Sequence, residues 1–137
     1  MSKIVLTDAK VTINSVILSD HIANITLESK DDIVETTAFG ATGAAKTRVA
    51  GLVDNQVTFD FHQDFAAANV EATIYPLLGQ TTTIVIQPTS AVVGATNPTY
   101  TFTALISDWT PLKAAVGTLS TASVTWPITG AITKAVA

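Results

Sequence analysis

The sequence predicts a mainly β protein, a β-sandwich or barrel-like fold with one flanking helix. Most of the chain runs in period two and is rich in Thr, Val and Ile, which suit a pleated surface with one buried face. About seven such runs are separated by turn residues, the number and spacing of a sandwich or barrel. A single segment switches to helical period.

The first run is Val11 to Leu18. Ile25 to Lys30 is the next. Between Ser29 and Leu52 the pattern weakens, and a long loop is expected over about 30–50. Acids come first there, Asp31, Asp32 and Glu35, then the small-residue stretch Phe39 to Ala45, then Lys46 and Arg48. Loops beyond about 12–15 residues are uncommon in compact domains and are usually functional or mobile. The acidic and basic stretches can pair with each other, pair with a neighbouring copy, or stay solvated without partners.

Asn55 to Phe61 is the clearest strand: Val57, Phe59 and Phe61 alternate with Gln56, Thr58 and Asp60, so the first three face a core together. The helical segment spans about 66–78, where Val70, Ile74, Leu77 and Leu78 fall on one face. Asp64 or Asn69 can serve as its N-cap and Gly79 as its stop, while Pro76 removes a hydrogen bond and distorts the last turn. The strands Thr81 to Gln87, Tyr100 to Asp108 and Ser120 to Trp126 follow, with a last short strand around Ala131 to Thr133.

Composition limits what such a fold can do. Charged residues make up 13% of the 137 residues and the mean hydropathy is +0.42, against about 25% charge in an ordinary soluble domain. So few charges coat a lone small domain poorly; a membrane, disorder or assembly would each meet the shortage. A membrane-spanning helix needs about 18 consecutive apolar residues, and stretches such as Ile74 to Leu78 or Ile84 to Ile86 are too short. Met1 to Asp8 lacks the apolar core of a signal peptide, so the chain is expected to stay where it is made. The absence of cysteine excludes disulfide staples and thiolate metal sites and fits a reducing compartment. Assembly is left as the expected answer. At 14.3 kDa the chain makes one domain, residues 1–137. A net charge of −4, a pI near 4.8 and scattered basic residues argue against a protein that grips nucleic acid.

No constellation carries chemistry. Gly40 to Thr47 departs from a phosphate-binding loop by Ala45, where a glycine belongs before the lysine, and the residues after it do not read as a helix. His62, Asp64 and His21 lack the spacing of a metal site, which needs three or four convergent ligands. Asp31 and Asp32, as neighbours in an extended chain, point to opposite faces and suit no paired acid and base work. Trp109 and Trp126 adjoin Pro-containing bends and are expected to pack in the core rather than serve as a ligand platform. Neither catalysis nor a cofactor or metal is expected.

Several stretches together resemble the major tail tube proteins of long-tailed (siphovirus-type) bacteriophages, in their short single-domain form. They are Val16 to Ile22, Val34 to Gly40, Phe59 to Phe65 running into the helix, Ala95 to Tyr100, and Thr121 to Gly130. Order and spacing match across about residues 11–134, although no single motif is decisive. Asn14-Ser15 departs from the family, whose members often place a glycine in the first hairpin. The resemblance implies a tail tube fold whose copies close into hexameric rings by joining their sheets. The rings would stack into a tube that conducts DNA into the host. It also implies a long loop that reaches axially to the next ring, placed here at Asp31 to Arg48, which makes Asp31, Asp32, Glu35, Lys46 and Arg48 the candidate inter-ring or inter-subunit contacts. The implied partners are further copies of the chain, a tape measure protein, tail tip and terminator proteins, and DNA in non-specific passage, with no membrane. The implied location is the virion tail after synthesis in the bacterial host cytoplasm. The chain ends without the immunoglobulin-like domain some members carry, so external decoration is not expected. The competing readings are the inner tube of a contractile injection system, and a monomeric carbohydrate-binding or adhesive sandwich that would use Trp109, Trp126 or Tyr100.

Overall fold

The structure, a computed structural model, describes residues 5–40 and 42–136. Seven antiparallel strands form a single sheet: β1 (Lys10–Ile13), β2 (Val16–Ile17), β3 (Ile22–Glu35), β4 (Arg48–His62), β5 (Thr81–Gln87), β6 (Thr99–Leu105) and β7 (Thr121–Ala135). A short helix α1 (Val70–Ile74) precedes β5. The order across the sheet is β2-β1-β5-β6-β7-β4-β3. The two edge strands, β2 and β3, are therefore neighbours in sequence, joined by one 3-10 turn at Ser19–His21. Ile17 and Ile22 can lie no more than about 18 Å apart along the chain, so the sheet must curl until its edges approach. This is the sandwich or barrel-like β fold with one helix that the period-two pattern predicts.

The buried residues come from alternating positions on the inner face: Val57, Phe59 and Phe61 of β4, Val124 and Trp126 of β7, Ile84 of β5 and Phe102 of β6. Val70 and Ile74 close one end of this core from α1. Trp109 and Trp126 are buried, as expected of packing residues; the Trp126 ring meets Phe59 edge-on at 5.9 Å and Trp109 meets Phe61 at 5.6 Å. Each indole also has a partner. Trp126 Nε1 donates to the Asp108 carbonyl at 2.8 Å and Trp109 Nε1 to Glu71 Oε2 at 2.7 Å. An apolar ring is thereby buried without orphaning its N–H. Between the β3 edge and strands β5 to β7 an open seam of about 480 Å³ remains, lined by Ile25, Leu27, Ile86, Tyr100 and Ile132.

Four elements differ from the expected boundaries. The helix is shorter than 66–78. Asn69 holds the N-cap position, as one of the two expected candidates, but its Nδ2 donates to Asp64 Oδ2 while Asp64 Oδ1 accepts from the Ala66 N–H. Both side chains thus serve the entry turn and neither bonds to the first turn of α1. The α geometry ends at Ile74 and continues as a 3-10 turn, Tyr75–Leu77, carrying Pro76; Gly79, at φ +83°, stops it. The run Val11 to Leu18 divides into β1 and β2 around Asn14 (φ 50°) and Ser15 (φ 67°), the two positive angles of a type I′ hairpin turn. The last two expected strands are one strand, β7. Pro127 is tolerated inside it because the ladder with β6 ends one residue away, at Ala104↔Ile128, so Pro127 has no β6 partner to which an N–H would be owed. Gly130, at φ +90°, takes up the irregularity that follows. Finally, both ends of the loop expected over about 30–50 are strand, β3 running to Glu35 and β4 starting at Arg48, which creates the feature described next.

Candidate assembly surface

Pairing between β4 and β7 ends at Asn55 and Ile128, where the two strands part. β7 continues along β6, while β4 leaves the body with β3 alone. Buried Asn55 marks the fork, its Nδ2 donating to the Gly130 carbonyl of the departing strand at 3.1 Å. Beyond it β3 and β4 stay zipped through Lys30↔Asp54, Asp31↔Val53, Ile33↔Ala50, Val34↔Val49 and Glu35↔Arg48. Every residue from Ser29 to Glu35 and from Arg48 to Asp54 is exposed. At about 3.3 Å per residue, the seven steps from Asn55 to Arg48 carry this arm some 23 Å from the body.

The arm bends at a bulge: β3 advances two residues from Asp31 to Ile33 while β4 advances three, from Val53 to Ala50. Gly51 sits inside it. A Cβ there would come within 3.1 Å of Val34 Cγ2 and 3.3 Å of the Asp32 carbonyl, so the two strands approach closely at this glycine. At the far end Thr36 and Thr47 close the ladder: the Thr36 N–H donates to the Thr47 carbonyl at 2.8 Å, and the Thr47 N–H to Thr37 Oγ1 at 2.9 Å. The tip then turns through Gly40 (φ +82°) and Gly43 (φ +69°); Ala41 lies outside the described residues.

All five predicted contact residues lie on this arm. Glu35 and Arg48 are cross-strand partners, and Lys46 Nζ stands 3.8 Å from Glu35 Oε1 with both side chains more than half exposed. The acidic and basic stretches thus meet within one chain, in pairs that water screens to about 0–1 kcal/mol. Asp31 pairs with Val53, and Asp32 falls in the bulge without a cross-strand partner.

Charge was not the arm's main signal. Ile33, Val34, Val49, Leu52 and Val53 are about half exposed or more, and Phe39 at the tip is wholly exposed. The legible trace was the doublets Ile33-Val34 and Leu52-Val53, since adjacent strand residues face opposite ways and one of each must find cover outside the hairpin. A two-stranded ribbon with apolar groups on both faces is marginal alone in water. Such a surface calls for a partner.

The other constellations resolve simply. Gly40 to Thr47 leads into strand β4 rather than a helix, so it has no helix N-terminus to cradle a phosphate. His21 pairs with Asp64, Nε2 to Oδ2 at 3.2 Å, and ties the 3-10 turn to the segment before α1. Among the described residues no three His, Asp or Glu side chains gather as metal donors, and no helix is long and apolar enough to cross a membrane.

No family model and no curated protein sequence matches the chain. Its fold is similar to that of a chain in the virion of a native gene transfer agent particle, with a TM-score of 0.78 over 96% of this chain and 98% of that one at 7% identity. It is also similar to a chain in the cryo-EM structure of the anti-feeding prophage baseplate, sixfold symmetrised: TM-score 0.61, 98% and 97% coverage, 10% identity. At such identities the likeness is one of fold.

Proposed function

We propose that this chain is a structural virion protein, the subunit of hexameric rings that stack into a phage tail tube through which DNA passes into the host. The observation that carries the reading is the fold shared end to end with a chain of an assembled virion particle. The sequence resemblance to tail tube proteins, made on other grounds, points the same way. In this role the chain performs no catalytic step and holds no cofactor. Its partners are its own copies, the tape measure protein and the tail tip and terminator proteins, and its place is the virion tail.

The physical features fit. Along its outer side β3 offers the unpaired backbone of a sheet edge, a hazard in a monomer and a joint in a ring whose next copy supplies the missing ladder. The arm offers a second, projecting surface whose apolar residues need cover. The net charge of −4 lets polyanionic DNA slide rather than stick. The likeness to a baseplate chain favours a second reading, the inner tube of a contractile injection system; the two are separated by whether a sheath protein is encoded nearby. A monomeric sugar-binding role loses its platform, because Trp109 and Trp126 are buried and Tyr100 lines the seam.

Electron microscopy of the purified protein tests the proposal. Sixfold rings or tubes of uniform width are expected, and a species that stays monomeric at high concentration refutes it.

A further inference from the structure

The arm is one end of the β3-β4 hairpin, and the other end carries a surface of opposite character. β4 finishes at His62, which pairs with Thr121 at the start of β7. The segments flanking those two residues are stitched together there. The Gln63 N–H donates to the Ser120 carbonyl at 3.0 Å, Gln63 Nε2 to the Pro111 carbonyl at 2.7 Å, and the Thr121 N–H to the Lys113 carbonyl at 3.3 Å. This far end, about 46 Å of strand from Arg48, exposes Leu112, Val116 and Leu119.

It is also acidic. Asp64 lies there, the His21–Asp64 contact brings highly exposed Asp20 beside it, and Asp108 is exposed nearby. Against these acids residues 107–120 carry one base, Lys113. The tip leans the other way: around wholly exposed Phe39 it carries two bases, Lys46 and Arg48, against one acid, Glu35, which is near both.

We infer that the arm tip of one copy seats on the 107–120 end of the next, with Phe39 among Leu112, Val116 and Leu119 and with Lys46 and Arg48 facing Asp20, Asp64 and Asp108. This rests on the proposal that the chain stacks with copies of itself, and it names the two surfaces that meet. Two tips brought together would oppose like charges, so the charge distribution favours tip to far end. A contact between two different patches is heterologous: each copy leaves one patch free, and addition continues in one direction. That is the connectivity of a stack. The charged part of the contact is screened beyond about 10 Å at 0.1 M salt, so stacking should weaken as salt rises.

The chain has no cysteine of its own, so introduced thiols report single contacts. Full-length Phe39→Cys and Val116→Cys are purified separately under reducing conditions, mixed before assembly, then oxidised mildly and resolved on non-reducing gels. A disulfide requires the two Cα atoms within about 7 Å. The mixture is expected to give a dimer containing both variants, and each variant alone little or none. A second arm leaves Phe39 in place: Lys46→Glu with Arg48→Glu should raise the assembly threshold at least about tenfold, the effect of about 1.4 kcal/mol, and Asp20→Lys with Asp108→Lys should restore it. Far-UV spectra confirm that each variant folds. Tubes that form with neither a mixed disulfide nor charge rescue overturn the inference and leave the tube proposal standing, as does Phe39→Cys cross-linking to itself. An unmodified chain that never assembles overturns both.

Discussion

Replacing Glu71 by alanine should destabilise the fold through a single carboxylate oxygen. Glu71 Oε2 accepts from Trp109 Nε1 at 2.7 Å and from Gln63 Nε2 at 3.1 Å, so one atom on α1 holds both the exit of β4 and the segment leading to β7. A hydrogen bond to a charged acceptor contributes about 1.5–3 kcal/mol, and an orphaned buried donor forfeits most of it. Trp109 is 8% exposed, so water does not readily replace the lost acceptor. Gln63 loses less, because its Nε2 keeps the Pro111 carbonyl. The expected cost is about 2–4 kcal/mol, on the order of 10 °C in unfolding midpoint for a domain of this size. Glu71→Gln keeps an oxygen without the charge and should lose about half as much. The assay is urea unfolding followed by far-UV circular dichroism on Glu71→Ala, Trp109→Phe, the double variant and the parent. Because Trp109→Phe removes the donor, the cycle isolates the pair, with an expected coupling of about 1.5–3 kcal/mol. Single effects that add within about 0.5 kcal/mol would show that the contact does not hold the two segments together.

Ser15→Gly relieves a non-glycine residue at φ 67° in the first hairpin and should stabilise by about 0.5–1 kcal/mol, read as a higher unfolding midpoint. The Asp8 carboxyl is held below the usual aspartate range, first by the Ser90 hydroxyl and then by the Ser90 N–H. Its charged form therefore favours the folded state above the unfolded value, and the small contribution fades as pH falls through the lowered one; an NMR titration should show the depressed midpoint, rising in Ser90→Ala. Deleting Gly40 to Ala45 should leave the thermal midpoint nearly unchanged and abolish stacking, checked by calorimetry alongside electron microscopy. Normal tubes from that deletion would exclude the tip as a contact.

The parts of the molecule that were legible are those where one face is buried. Val57, Phe59 and Phe61 alternate with polar neighbours because the core reads every second residue, and the strand stands where that pattern placed it. The arm was hidden for the converse reason. With both faces of Ser29 to Glu35 and Arg48 to Asp54 in water, only the backbone ladder holds them as strands, and a ladder leaves no period in the side chains. Strand β7 was split in two by Pro127 and Gly130, whose effect depends on where β6 ends, a fact of the sheet and not of the local sequence. The helix start was misplaced because Asp64 and Asn69 bond to each other's turn. At the candidate site Glu35, Lys46 and Arg48 were marked by charge, whereas Phe39 and the Ile33-Val34 and Leu52-Val53 doublets stood out only once the fold had failed to bury them.

The arm has no joint with the body. β4 is one covalent strand from Arg48 to His62, and its far end abuts the segment that Gln63 and Glu71 clamp. A pull on the tip is therefore carried along a single backbone, past the core aromatics, to the opposite end of the same subunit. In a stack built tip to far end, tension would run from copy to copy through β4 strands in series. The points where that path leaves extended strand are the Gly51 bulge and the positive-φ glycines Gly40 and Gly43. Such a filament would resist stretching through its strands and bend at those two places, a division of labour that force spectroscopy on assembled tubes would register as stiff extension with soft flexure.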